Sequence, residues 1–152
     1  MVEWAKNLWA LVRGKPVTRR TELQMRGDAG EAAAARFLAR ERGMTILARN
    51  WRNPQNTREE IDIVCRSPEN VIVFVEVKTY PTDRLFQGLA RVNARKKSFL
   101  KSAAYAYLRR LGSGWHERAY RLDVVVVEHT DDGHLVPHHF ENVPLFSKRR
   151  HI

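Results

Sequence analysis

One cysteine, Cys65, is all the thiol this chain of 152 residues contains. An intrachain disulfide is excluded, and a lone Cys in an apolar run reads as a buried thiol in a reducing compartment. No apolar stretch approaches the roughly 20 residues a membrane-spanning helix needs. The opening MVEWAKNLWALVRGKP lacks the form of a signal peptide, because Glu3 and Lys6 interrupt it and no small-residue cleavage site follows. A cytoplasmic location is expected. Internal repeats, low-complexity tracts and base-reading motifs are missing as well. A zinc site at His134, His138 and His139 is disfavoured, since three ligands cluster there with no cysteine nearby.

Acidic residues are also in short supply. There are 17 Asp and Glu against 27 Lys and Arg, a net charge of +10. A field of that sign attracts polyanions, and nucleic acid is the commonest of them.

What is present reads as an α/β chain in the order α-β-β-β-α-β-β. Residues 1–26 form a basic extension with Trp4, Leu8, Leu11 and Val12 at helical spacing. Residues 27–146 are expected to be one domain, and 147–152 a basic tail. A capping box at Asp28 and Glu31 starts the first helix, and Gly43 stops it. Strands are expected over 44–51, 60–66 and 71–79, with a polar loop over 53–57 and a turn over 67–70. A second helix over 93–111 precedes a strand over 120–128, whose four consecutive valines suit burial on both faces. A turn at Asp131-Asp132-Gly133 leads to a weaker last strand. A helix joining the third strand to the fourth favours a parallel crossover, so the sheet is mixed.

The run VFVEVKT, residues 73–79, is apolar enough for a core yet carries Glu76 and Lys78. Ser67-Pro68-Glu69-Asn70 suits a three-residue hairpin loop, with Asn70 in the left-handed conformation. That register pairs Cys65 with Val73, Ile63 with Val75 and Ile61 with Val77 on a core face. On the other face Val64 meets Phe74, Asp62 meets Glu76 and Glu60 meets Lys78. Asp62 and Glu76 should then have Cβ atoms roughly 4.5 to 5.5 Å apart. Like charges placed so destabilise a sheet unless a cation sits between them, and hard oxygen donors select Mg²⁺, with Mn²⁺ as a substitute. Lys78 could orient or deprotonate a water, or hold transition-state charge. In the plainer alternative Glu60 and Lys78 are an ordinary ion pair, which explains Lys78 but not the two facing acids.

Arg95, Lys96, Lys97 and Lys101 load the start of the second helix with positive charge, the unfavourable end for the helix dipole. This points to an anionic partner, with these four side chains as phosphate contacts and no base readout.

Asp62 followed by Glu76-Val77-Lys78 resembles the motif of the PD-(D/E)XK nucleases, whose αβββαβ core has the same element order. The likeness narrows to the YraN-type family of small bacterial proteins, themselves similar to archaeal Holliday-junction resolvases. It is carried by Gly30-Glu31-Ala32-Ala33, Arg49-Asn50-Trp51-Arg52, Glu60-Ile61-Asp62-Ile63, Phe74-Val75-Glu76-Val77-Lys78-Thr79, Lys96 and Arg121-Leu122-Asp123-Val124. It implies a restriction-endonuclease-like fold with helices flanking the sheet, and Asp62 and Glu76 as metal ligands. It also implies Lys78 as the catalytic lysine and Glu31 as a further acid turned toward the site. The expected activity is Mg²⁺-dependent, structure-selective cleavage of DNA, in repair, recombination or uptake. A resolvase would also need a homodimer. The alternative is a non-catalytic nucleic-acid-binding accessory protein that keeps the fold. Two positions depart from the family pattern. Glu59 stands where Gly is usual, adding repulsion for DNA, and Tyr80 stands where Arg is usual, removing a phosphate contact.

Overall fold

The computed structural model describes residues 21–82 and 94–144. Of the basic extension expected over 1–26, residues 1–20 lie outside the described residues, as does the tail over 147–152. In chain order the elements are α1 (Glu22–Glu41), β1 (Thr45–Asn53), β2 (Asn56–Arg66), β3 (Ile72–Pro81), α2 (Ala94–Arg110), a 3₁₀ turn (Trp115–Glu117), β4 (Tyr120–His129) and β5 (Leu135–Phe140). The strands form one five-stranded sheet in the order β1-β2-β3-β4-β5. Every neighbouring pair is antiparallel except β3 and β4, which are parallel across the α2 connection. This is the expected mixed sheet with helices against it, a restriction-endonuclease-like α/β core. Among the described residues no helix is long and apolar enough to cross a membrane.

Helix α1 starts earlier than expected. Its capping box is Thr21 and Gln24: the Thr21 hydroxyl accepts from the Gln24 N–H, and the Gln24 side chain accepts from the Thr21 N–H. Asp28 and Glu31 therefore lie within the helix, and residues 22–26 belong to it rather than to an extension. Two cap signatures occur in tandem, and the upstream one also satisfies the orphan N–H groups of the first turn. Gly43, at φ 63°, turns the chain out of the helix.

Each face of the sheet has its own core. Ala33, Ala34, Ala35 and Leu38 of α1 pack on Ile63, Cys65, Val73, Val75, Val77, Val125 and Val127. On the other face, Leu100, Ala103, Ala104 and Leu108 of α2 pack on Ile61, Val64, Phe74, Leu122, Val124 and Val126. Tyr107 adds edge-on contacts to Trp51 and Phe74, with ring centroids 5.3 and 5.9 Å apart. The four valines of β4 thus divide between the two faces. Cys65 is buried as expected, and burial pushes its thiol up to about 12.

The β2–β3 loop takes the expected form: Asn70 is at φ 65°, and Ser67 and Val71 close it backbone to backbone at 2.9 Å. The expected loop over 53–57 is instead a tight turn, with Asn53 paired to Asn56 and both strands running into it. Side-chain oxygens of Asn53 and Asn56 accept from the N–H groups of Gln55 and Arg58 there, which makes an asparagine-rich stretch a turn rather than a loop.

Candidate active site

The site lies where β2 and β3 part. Their pairing runs from Arg66↔Ile72 to Ile63↔Val75, in the expected register, and goes no further. The Asp62 carboxylate accepts a 2.7 Å hydrogen bond from the Val77 N–H, taking the place of a ladder bond. Asp62 and Glu76 are therefore not a directly opposed ladder pair, and Ile61 does not face Val77. Ile61 packs on the α2 side while Ile63 and Val77 pack on the α1 side, so the strict alternation of β2 breaks at Asp62. Its partner β1 breaks at the same level: Asn50, between Arg49↔Ile63 and Trp51↔Ile61, is at φ 49°. Asn tolerates that conformation better than most residues. The cross-strand pair of Glu60 and Lys78 is not formed. Glu60 meets Arg52 at 3.0 Å, and Lys78 turns to Glu76.

Glu76 is the electrostatic centre. Its side chain is 1% exposed, with Lys78 Nζ 2.7 Å from Oε1 and Lys96 Nζ 3.2 Å from Oε2. Lys96 is near enough to Oε2 for an ion pair, yet that buried oxygen receives no aligned hydrogen bond. Asp62 is pushed up to about 7, by burial first and by the Glu76 charge second. Burial alone would lower the Lys78 ammonium, but the Glu76 carboxylate outweighs it and the net shift is upward. Lys78 is therefore a held cation and a poor base in this arrangement.

Glu31 reaches the same region from α1. Asn50 Nδ2 donates to its carboxylate at 3.0 Å. Its carboxyl is raised, by burial first and then by Asp28, with smaller contributions from Glu60 and Glu76. The residue before it, Gly30, packs so tightly on Thr79 of β3 that a Cβ there would collide with the Thr79 hydroxyl. The structure thus brings Glu31, Asp62, Glu76, Lys78 and Lys96 to one end of the sheet. It separates the remaining basic residues of α2. Arg95 lies over the Phe99 ring at 5.5 Å, Lys101 lies over Tyr105 at 5.7 Å, and Lys97 is half-buried on the helix.

Glu59, expected to add repulsion for DNA near the site, is directed into the β1–β2 turn. It is buried, and it accepts from Asn53 Nδ2 at 2.7 Å and Asn56 Nδ2 at 3.0 Å, stitching the β1–β2 turn. Sequence reasoning assigned no role to Asn50, although a lone Asn inside a strand is a signal for a left-handed residue. It also read Lys96 only as a phosphate contact. The three histidines do not converge, since β5 turns His138 to the Phe140 face and His139 to the other, where it meets Asp123 at 2.9 Å.

Among the described residues no three His, Cys, Asp or Glu side chains come together closely enough to cage a metal by themselves. A cation that binds through one or two carboxylates and keeps several waters needs no such cage, and Mg²⁺ is of that kind. Asp62 and Glu76, one strongly raised and the other with a buried oxygen that has an ion-pair contact but no aligned hydrogen bond, fit it.

An αβββαβ core with paired carboxylates and a lysine where two strands part defines the restriction-endonuclease-like class. The chain belongs to the uncharacterised protein family UPF0102, the YraN family, whose model matches residues 30–127. A UPF0102 protein of Symbiobacterium thermophilum is 43% identical over 109 residues, 72% of this chain and 86% of that protein. One of Thermosynechococcus vestitus is 37% identical over 116 residues, 74% of this chain and 88% of that protein. A third, of Moorella thermoacetica, is 44% identical over 103 residues, 67% of this chain and 79% of that protein.

Proposed function

We propose that the protein is a Mg²⁺-dependent DNA endonuclease that selects structured or branched substrates. The observation that carries this reading is the pair of buried acids where β2 and β3 part, one raised to about 7 and the other charged against two lysines. Such a pair is costly to keep in a fold unless something binds it. Asp62 and Glu76 would hold the cation. When bound, the metal supplies charge stabilisation and activation of a water in phosphodiester hydrolysis.

The chain's own residues do the rest. Water oxygen attacks phosphorus, the bond to the leaving oxygen breaks, and the water's protons end on the leaving oxygen and in solvent. Lys78, kept as an ammonium by Glu76, holds the negative charge that gathers on the phosphate. Glu31, aimed by Asn50, orients the attacking side. The excess of basic residues holds the backbone by charge, without reading bases.

The test is nicking of a four-way DNA junction and a plain duplex with Mg²⁺ or Mn²⁺. The unmodified protein should cut the junction at least about 100-fold faster than Asp62→Ala or Glu76→Ala. Equal rates would sink the enzyme reading. They would favour the second one, a DNA-binding accessory protein, in which Lys78 and Lys96 neutralise Glu76 permanently.

A further inference from the structure

Strand β5 lies beyond residues 30–127, the span of the family match, and it adds a side chain to the face that carries Glu76 and Lys78. Lys78 pairs with Val126 across β3 and β4, and Val126 pairs with His138 across β4 and β5. Paired residues share a face, so Lys78, Val126 and His138 form one row across the sheet. Two strand spacings put the Cα atoms of Lys78 and His138 about 9 to 10 Å apart. The next row is Tyr80, Glu128 and Val136.

Glu128 and His138 are coupled. His138 Nε2 lies 2.9 Å from Glu128 Oε2, with the imidazole 35% and the carboxylate 15% exposed. The Glu128 carboxyl is held low by His138 first and by the Thr82 hydroxyl second. Among the described residues, the charged or titratable groups near His138 are Glu128 beside it and Lys78 and Tyr80 in the adjoining rows, with the Thr82 hydroxyl as a further polar group.

We propose that His138, aimed by Glu128, is a second contact to the DNA backbone in this site, and that it engages a phosphate only when protonated. The inference rests on the DNA reading given above. With Nε2–H committed to Glu128, the neutral ring presents only a lone pair at Nδ1, which cannot donate to a phosphate oxygen. The imidazolium presents a second N–H there, which can donate to a phosphate oxygen.

The experiment follows binding of a fluorescein-labelled four-way DNA junction in EDTA, against salt concentration, at pH 6 and pH 8. Log affinity falls with log salt by about 0.9 for each phosphate neutralised on duplex DNA. His138→Gln should lose about 0.9 of slope at pH 6 and nothing at pH 8. His138→Arg, charged at both pH values, should show the pH 6 slope at both. Comparing variants at the same pH cancels Asp62, which also titrates in this range. An unchanged slope in His138→Gln, or no restoration by His138→Arg, overturns the inference and leaves the dyad a structural pair. If the unmodified protein fails to bind the junction, the DNA reading falls and takes this contact with it.

Discussion

Among the described residues the two most deeply buried acids, Asp123 and Glu76, are treated in opposite ways. Asp123, 0% exposed, accepts from the Arg121 guanidinium at 3.0 Å, the Asn142 N–H at 2.9 Å and His139 at 2.9 Å. Burial would raise its carboxyl, but the His139, Asn142 and Arg121 bonds outweigh that and hold it low. Glu76, 1% exposed, has two ammonium groups near it and one oxygen without an aligned donor, while burial first and the Glu76 charge second push its neighbour Asp62 up to about 7. A satisfied buried carboxylate strengthens a fold, whereas two acids sharing one charged pocket weaken it. The Asp123 carboxylate is satisfied without a ligand, although the buried Nδ1 of His139 beside it lacks a hydrogen-bond partner; the Glu76 carboxylate is not satisfied.

The comparison breaks most readily at Asp123. Asp123→Ala leaves the His139 ring and the Asn142 N–H without their acceptor in a buried site, at about 1 to 3 kcal/mol for each, while Arg121 keeps Glu141. For a chain of this size that is a drop in thermal midpoint on the order of 10 °C. A midpoint within a degree or two of the parent's would mean that the network contributes little.

The acid at the other end should behave in the reverse sense. Asp62 titrates near 7 when folded against a usual value of 3.8, so between those values the native state keeps a proton that the unfolded state has lost. Stability therefore falls as pH rises through that window, and the loss is complete above 7. Asp62→Asn keeps an oxygen for the Val77 N–H and removes the titration. It should raise the midpoint by roughly 5 °C at pH 8 and by almost nothing at pH 4. Mg²⁺ should narrow the pH 8 difference by stabilising the parent alone. A variant less stable than the parent at pH 8 would remove the argument that this end of the sheet is strained for a ligand.

Much of the fold behind this contrast was legible in the residues, up to a definable point. The β2–β3 register followed from the loop and the apolar pattern, because Cys65 with Val73 and Ile63 with Val75 obey a period of two. The parallel crossover followed from a helix placed between strands. What escaped was the break at Asp62. A side chain bonding to a neighbouring strand's N–H is a tertiary choice, which no local pattern encodes, and the Asn at φ 49° in the strand beyond was signalled only by its residue type. Glu59 misled for a similar reason. Its partners Asn53 and Asn56 come together only once the tight turn forms. The Asp123 network escaped because His139 and Asn142 reach it from 16 and 19 residues away.

The smallest expected effect tests how α1 serves the two regions differently. Near Asp123 the helix contributes Phe37, edge-on to the His139 ring at 6.2 Å, a contact with room to adjust. Near the site it contributes Gly30 against Thr79, with no room for a methyl group. Gly30→Ala should cost about 1 to 3 kcal/mol by overpacking, read from denaturant midpoints. Thr79→Ala in the same chain removes the colliding hydroxyl, so the double variant should recover most of the loss as a non-additive coupling. Additive losses would mean that the close approach is incidental. Coupled losses make α1 a spacer whose distance from β3 sets the reach of Glu31 to Asn50. Metal-dependent nicking by Gly30→Ala should then fall further than its stability accounts for, and Thr79→Ala should restore the two together.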